Sequence, residues 1–239
     1  MGELLRTGLK SLIVLAIFGL SLNLNAQSTL NDVKAAFNQG AQMEKVNPDA
    51  AIVSYNKVIE LATEVGGDEA DQIMGQAIGR IPKMNYEAAK KLAGKKDYDS
   101  AVERLDLAIE GYNKLNDTKQ ARSSMNTIVS IRYTQGNNAL MAKEYTNALG
   151  YYDMALARNS NYPKAYLGKV LAYDGLQDEA KMEEMALIGM EVAKARRDNK
   201  TDGDIKKKMR TYFFNTAQTD MGEKNYAKAE ASLKKSISY

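Results

Sequence analysis

The chain has 239 residues, 33 basic and 30 acidic, with no His and no Cys, and 44% of it is apolar. This balance suits a globular protein, and a net charge of +3 gives no strong field directed at nucleic acid. Without thiol or imidazole the chain has no disulfides, Cys or His zinc sites, cysteine nucleophiles or histidine acid–base chemistry, and three prolines amid abundant Ala, Leu, Lys, Glu and Met predict helix throughout.

Residues 1–26 read as a secretory signal. Arg6 and Lys10 give a basic start, Leu12 to Leu22 form an apolar run too short to span a bilayer comfortably, and Ala26 precedes a cleavage point at Gln27. The bulk of Leu24 keeps an uncleaved anchor as the alternative reading. The ending Leu-Asn-Ala-Gln resembles secretory leaders of Bacteroidota. Cleavage leaves 31 basic and 29 acidic residues, a net charge of +2, and a chain in the periplasm or associated with the outer envelope.

Residues 27–239 then divide into helical hairpins. In the first, from about Leu30 to Val65, Thr29 or Asn31 can cap the start, Asn47-Pro48-Asp49 separates two helices, and Ala51, Tyr55 and Val58 form a packing ladder. Gly66-Gly67 ends it. A long helix over Asp68–Gly94 carries Ile73, Ala77, Ile81 and Met84 at core spacing, with a kink or short break predicted near Ile81 because Pro82 lacks an amide donor. Its partner runs from Tyr98 to about Leu115, and Asn116-Asp117 is the next break, with Asp117 as cap. The third pair follows with another long first helix, and one polar break within Ser130–Leu156 separates its two helices. Asn159–Tyr162 is a turn, and Pro163 opens the fourth unit.

Residues 194–210 are rich in Lys and Arg interspersed with Asp. They read either as a solvated connector or as a patch for an anionic partner. The last hairpin is predicted over Ile205–Tyr239, ending on Leu233 and Ile237 with no polar capping helix.

A 47-residue shift superposes Gly136 on Ala89, Tyr145 on Tyr98, Ala148 on Ala101 and Ala155 on Ala108. The twelve-residue step from a small residue to Ala recurs as Gly168 to Ala180 and Ala217 to Ala229, with an eleven-residue version from Gly40 to Ala51. Tyr-x-x-Ala stands at Tyr98/Ala101, Tyr145/Ala148 and Tyr226/Ala229. In these features the chain resembles the tetratricopeptide repeat family. It departs from the family in lacking Trp and in placing Glu184 where an apolar residue is expected. The resemblance implies an all-α, right-handed α-solenoid of about five hairpins, in units 30–66, 67–115, 116–160, 161–199 and 200–239. It also implies that the first helices line a concave groove.

Residues six before, three before and one after each small position share one face of each first helix. That face carries Lys34 and Phe37; Lys83, Tyr86 and Lys90; Tyr133 and Asn137; Tyr162 and Lys169; and Phe214, with no acid among the positions. One reading is a groove for an extended, carboxylate-bearing segment of another protein; the other is that the aromatics pack against the next hairpin. The chain thus reads as a non-enzymatic protein-interaction scaffold with no cofactor, metal or nucleic acid. The alternatives are a structural component that self-assembles end-on, and a lipid binder acting through the basic stretch.

Overall fold

The computed structural model describes residues 28–239 as an all-α array. The leader and its cleavage point lie outside the described residues. Ten helices form five antiparallel hairpins: α1 (Leu30–Met43) with α2 (Pro48–Val65), α3 (Asp68–Gly94) with α4 (Tyr98–Lys114), α5 (Thr118–Met141) with α6 (Tyr145–Arg158), α7 (Pro163–Leu176) with α8 (Glu179–Ala195), and α9 (Asn199–Gly222) with α10 (Tyr226–Ser238).

One turn, used six times, sets the register of most of the array. After the helix ends, a non-glycine residue takes left-handed φ: Lys96, Asn116, Lys143, Gln177, Arg197 or Lys224. The amide of the following residue donates back into the finished helix, as Asp97 does to Leu92 O and Asp198 to Ala193 O, which satisfies an otherwise orphaned carbonyl. Where that residue is Asp, its carboxylate also caps the next helix: Asp97, Asp117, Asp178 and Asp198 accept from Ser100, Gln120, Lys181 and Thr201. A single aspartate therefore closes one helix and opens the next. Hairpin 1 starts differently, with a capping box between Thr29 and Asp32, so Thr29 rather than Asn31 is the cap.

Each helix packs on its neighbours in sequence. The first helices also touch one another across hairpins, α1 with α3, α5 with α7 and α7 with α9, while among the described residues no pair of second helices meets to that extent. The array therefore curves, with the first helices on its inner side. No helix among the described residues is long and apolar enough to cross a membrane.

Three expectations need correction. First, of the kink or break expected near Ile81, the break does not occur, because α3 runs on through Pro82. The proline ring is buried against Gly111 of α4, and the Ile78 carbonyl it leaves without an amide donor belongs to an exposed residue. Second, 194–210 is not an irregular connector: α8 continues to Ala195, the turn is short, and α9 begins at Asn199 rather than Ile205.

Third, the register of the fourth hairpin shifts by two residues. Counted from the left-handed Gln177 as Ala148 is counted from Lys143, the residue matching Ala148 is Met182, not Ala180, and that matching Gly136 is Val170, not Gly168. Val170 and Met182 are fully buried in one core cluster, whereas Ala180 is exposed. The misplaced Glu184 then disappears, because Ala186 takes that core position and Glu184 faces solvent.

Candidate functional site

Tyr152 explains why Gly168 misleads. Its ring is fully buried between Gly136 of α5 and Gly168 of α7, and a Cβ on either glycine would collide with it. Gly168 is small for the preceding hairpin's tyrosine, not for its own second helix. The Tyr152 hydroxyl donates to Asn137 Oδ1 at 2.8 Å, and burial pushes its pKa well above the ordinary tyrosine value. Tyr133 packs on Tyr152 and meets Tyr162 edge-on at 5.4 Å, so these rings form one seam between α5, α6 and α7.

A second seam joins the first two hairpins. Gly40 leaves room for Tyr55 as Gly136 does for Tyr152. The Tyr55 hydroxyl donates to Glu44 at 2.6 Å, Arg80 of α3 donates to the same carboxylate at 2.7 Å, and the Arg80 guanidinium lies 5.0 Å from the centre of the Phe37 ring. Burial opposes the charge on Glu44, but these hydrogen bonds overcome it and hold the carboxyl below its usual range. Burial, then the bond to Glu44, pushes Tyr55 up to about 12.

The ten residues picked from the sequence therefore differ in availability. Phe37, Tyr133, Asn137 and Tyr162 are half-buried parts of the seams between hairpins. Lys34 pairs with Glu69 at 2.6 Å, Lys90 with Glu87 at 3.0 Å, and Lys169 with Asp153 at 2.8 Å. The acid-free character of the face is thus a property of the positions counted, because partner acids arrive from α3, from α6 and from the next turn of the same helix. Lys169 keeps only 13% of its side chain exposed.

With the register corrected, the fourth hairpin presents Lys164, Leu167 and Leu171 on this face in place of Tyr162, Ala165 and Lys169. What finds them is the left-handed φ of the turn residue Gln177, visible only in the structure, counted back to Val170. The exposed positions of the inner face then include Lys34, Lys83, Lys90, Lys164 and the 48% exposed Phe214, while Tyr86 is half-buried against the clusters that join α3, α4 and α5. Lys90 also lies 5.8 Å from the centre of the Tyr86 ring. Beside Lys83, between the first turn and α3, an open depression of about 300 Å³ is lined by Glu44, Lys45, Glu87 and Lys91 over the buried Met84.

The basic stretch is partly self-neutralised. Lys200 pairs with Asp204, Lys206 with Asp202 and Lys208 with Asp174, each at 2.6 Å, leaving Lys194, Arg196 and Arg197 exposed around the α8–α9 turn.

No family model and no curated protein matches the chain. Two solved structures align with 87% of the chain and 94% of their own: MamA from residue 41 onward, from Desulfovibrio magneticus RS-1, at 17% identity and a TM-score of 0.26, and the MamA RS-1 ArsTM double mutant at 18% and 0.25. Likeness at this level sets neither family nor function.

Proposed function

We propose that the chain is a non-enzymatic protein-interaction scaffold, exported to the cell envelope, that holds an extended segment of a partner along the inner face of its first helices. The observation that supports this reading is the inner face itself. Phe214 stays accessible there, and the half-buried Tyr86 lies beside Lys90, although the array buries many other rings in its seams. Flat aromatic surface gives contact area at low cost in side-chain entropy, and lysines select for carboxylates and hasten encounter. Lys90 already shares its charge with Glu87, so an acidic segment would exchange one exposed pair for another, and specificity would rest on the rings more than on charge.

The test combines Lys83→Glu, Lys90→Glu and Lys164→Glu and measures recovery of the native partner with the tagged protein across a range of salt. A loss of partner at low salt with an unchanged melting midpoint is the expected result. Full recovery at every salt concentration would place binding elsewhere. Amino-terminal sequencing of the native protein tests export, with Gln27 expected as the first residue; a start at Met1 or Gly2 would contradict cleavage.

A further inference from the structure

The antiparallel hairpins place all five of their internal turns along one edge of the array, and the four turns that join successive hairpins along the other. On the first of these edges, four turns leave a large apolar side chain in water. Val46 in the first turn is 73% exposed and Met141 at the end of α5 75%, and Leu176 closing α7 and Met221 near the end of α9 are exposed as well. The remaining turn, between α3 and α4, carries the exposed Lys95 and Lys96 instead. At the joining turns, Leu115 is the one large apolar residue so exposed among the described residues.

Lysines accompany these apolar tips. Lys45, Lys95, Lys96, Lys143 and Lys224 are all exposed at the same turns. The left-handed backbone of Lys96, Lys143 and Lys224 does not demand lysine, since Gln177 and Asn116 adopt it too. Most acids of these turns are engaged within the fold: Glu44 by Arg80 and Tyr55, Asp49 by Arg104, Asp99 by Arg132 and Glu179 by Lys235, while Asp97 and Asp178 cap helices. Against the five lysines stand Glu144 and Glu223, each accepting a hydrogen bond from a nearby Asn. Tips and lysines are also neighbours across hairpins: Lys91 of α3 donates to the Val46 carbonyl at 2.7 Å, and Leu176 shares one open depression with Lys143 and Tyr145.

We infer that this edge docks the protein on the surface of an anionic phospholipid bilayer, with the apolar tips entering the headgroup boundary and the lysines meeting lipid phosphates. The spacing selects this occupant. Tips on successive hairpins stand about 10 Å apart, the distance between packed helices, with polar turn residues between them. A fluid lipid surface accommodates separate tips, whereas a folded protein partner buries a contiguous apolar core that this edge lacks. Attachment is peripheral, because no helix among the described residues can span the bilayer.

Flotation of residues 27–239 with vesicles tests this, with the far-ultraviolet helix signal as a control for folding. Binding is expected to vesicles of phosphatidylcholine mixed equally with phosphatidylglycerol and not to phosphatidylcholine alone. It should weaken as salt shortens the screening length from about 10 Å at about 0.1 M to about 3 Å at about 1 M. Lys45→Glu with Lys95→Glu, and separately Met141→Asp with Leu176→Asp, should each lower vesicle affinity at least about tenfold. Met141→Ser with Leu176→Ser serves if the aspartates cost helix signal. Lys194→Glu with Arg196→Glu, on the opposite edge, should bind as the unaltered chain does. Glycerol phosphate at the concentration of the lipid phosphate should not displace the protein, because it carries the charge without a surface for the tips. No binding to the mixed vesicles, equal binding to both kinds, or full binding by either variant of this edge would overturn the inference. So would loss of binding in the opposite-edge variant, or displacement by glycerol phosphate. These substitutions leave Lys83, Tyr86 and Phe214 untouched, so failure here and failure of groove binding are separable.

Discussion

At Tyr152 a single ring depends on two absent side chains, one on α5 and one on α7. Gly136→Ala or Gly168→Ala should each overpack this slot and cost about 1–3 kcal/mol. Gly75→Ala, in a helix with open space around it, should instead gain about 0.5–1 kcal/mol through helix propensity. Urea unfolding midpoints separate these outcomes, and equal effects at all three sites would contradict the packing described. Alkaline pH probes the same layer. The raised pKa of Tyr55, about 12, means its neutral form is favoured by folding, so that contribution is complete below the unfolded value near 10 and is lost as pH rises through about 12. Stability should therefore fall between pH 10 and 12, and Tyr55→Phe should flatten that fall while costing about 1 kcal/mol at neutral pH for its lost hydrogen bond to Glu44. An alkaline slope unchanged by the substitution would remove Tyr55 from the explanation.

At the scale of the helix, the periodic spacing of small and aromatic residues made α5, α6 and their 47-residue repeats readable, because each small position faces its own hairpin partner. It failed in α7, where Gly168 serves a ring from another hairpin and only the turn residue Gln177 reveals the register. Turns at non-glycine residues also hid the regularity of the connections. A lysine in left-handed φ gives no sequence signal comparable to glycine, and it strains the backbone by about 1 kcal/mol. Lys143→Gly should recover about 0.5–1 kcal/mol of this after the added unfolded-state entropy is subtracted; a lower unfolding midpoint would argue against a strained turn. Pro82 survives in α3 because its ring fills the place a side chain on Gly111 would take. Gly111→Ala should therefore cost about 1–3 kcal/mol beside Pro82 but far less in a Pro82→Ala background, a coupling a double-mutant cycle reads directly.

Over residues 28–239, stability is a sum of hairpins and the seams between nearest neighbours, and among the described residues the first and last hairpins each have one neighbouring hairpin. Hydrogen exchange should be slowest in the Tyr152 layer of α5–α7 and fastest in α10, which buries only Ala229. The all-helical class followed from composition and from spacing within hairpins. The site was less legible: a face counted at three positions per helix cannot show the acids that Lys34, Lys90 and Lys169 meet from other positions, or tell a ring that lines a groove from one that closes a seam. Charge reversal asks whether the inner face matters, whereas cross-linking asks what touches it. The most direct measurement is thus a photoactivatable phenylalanine analogue placed in turn at Tyr86, at Phe214 and, on a second helix, at the exposed Leu107, followed by irradiation of intact cells. Adducts to one partner from Tyr86 and Phe214, with none from Leu107, are the result expected of a scaffold that binds along its first helices. Adducts from Leu107 with none from the other two would contradict it.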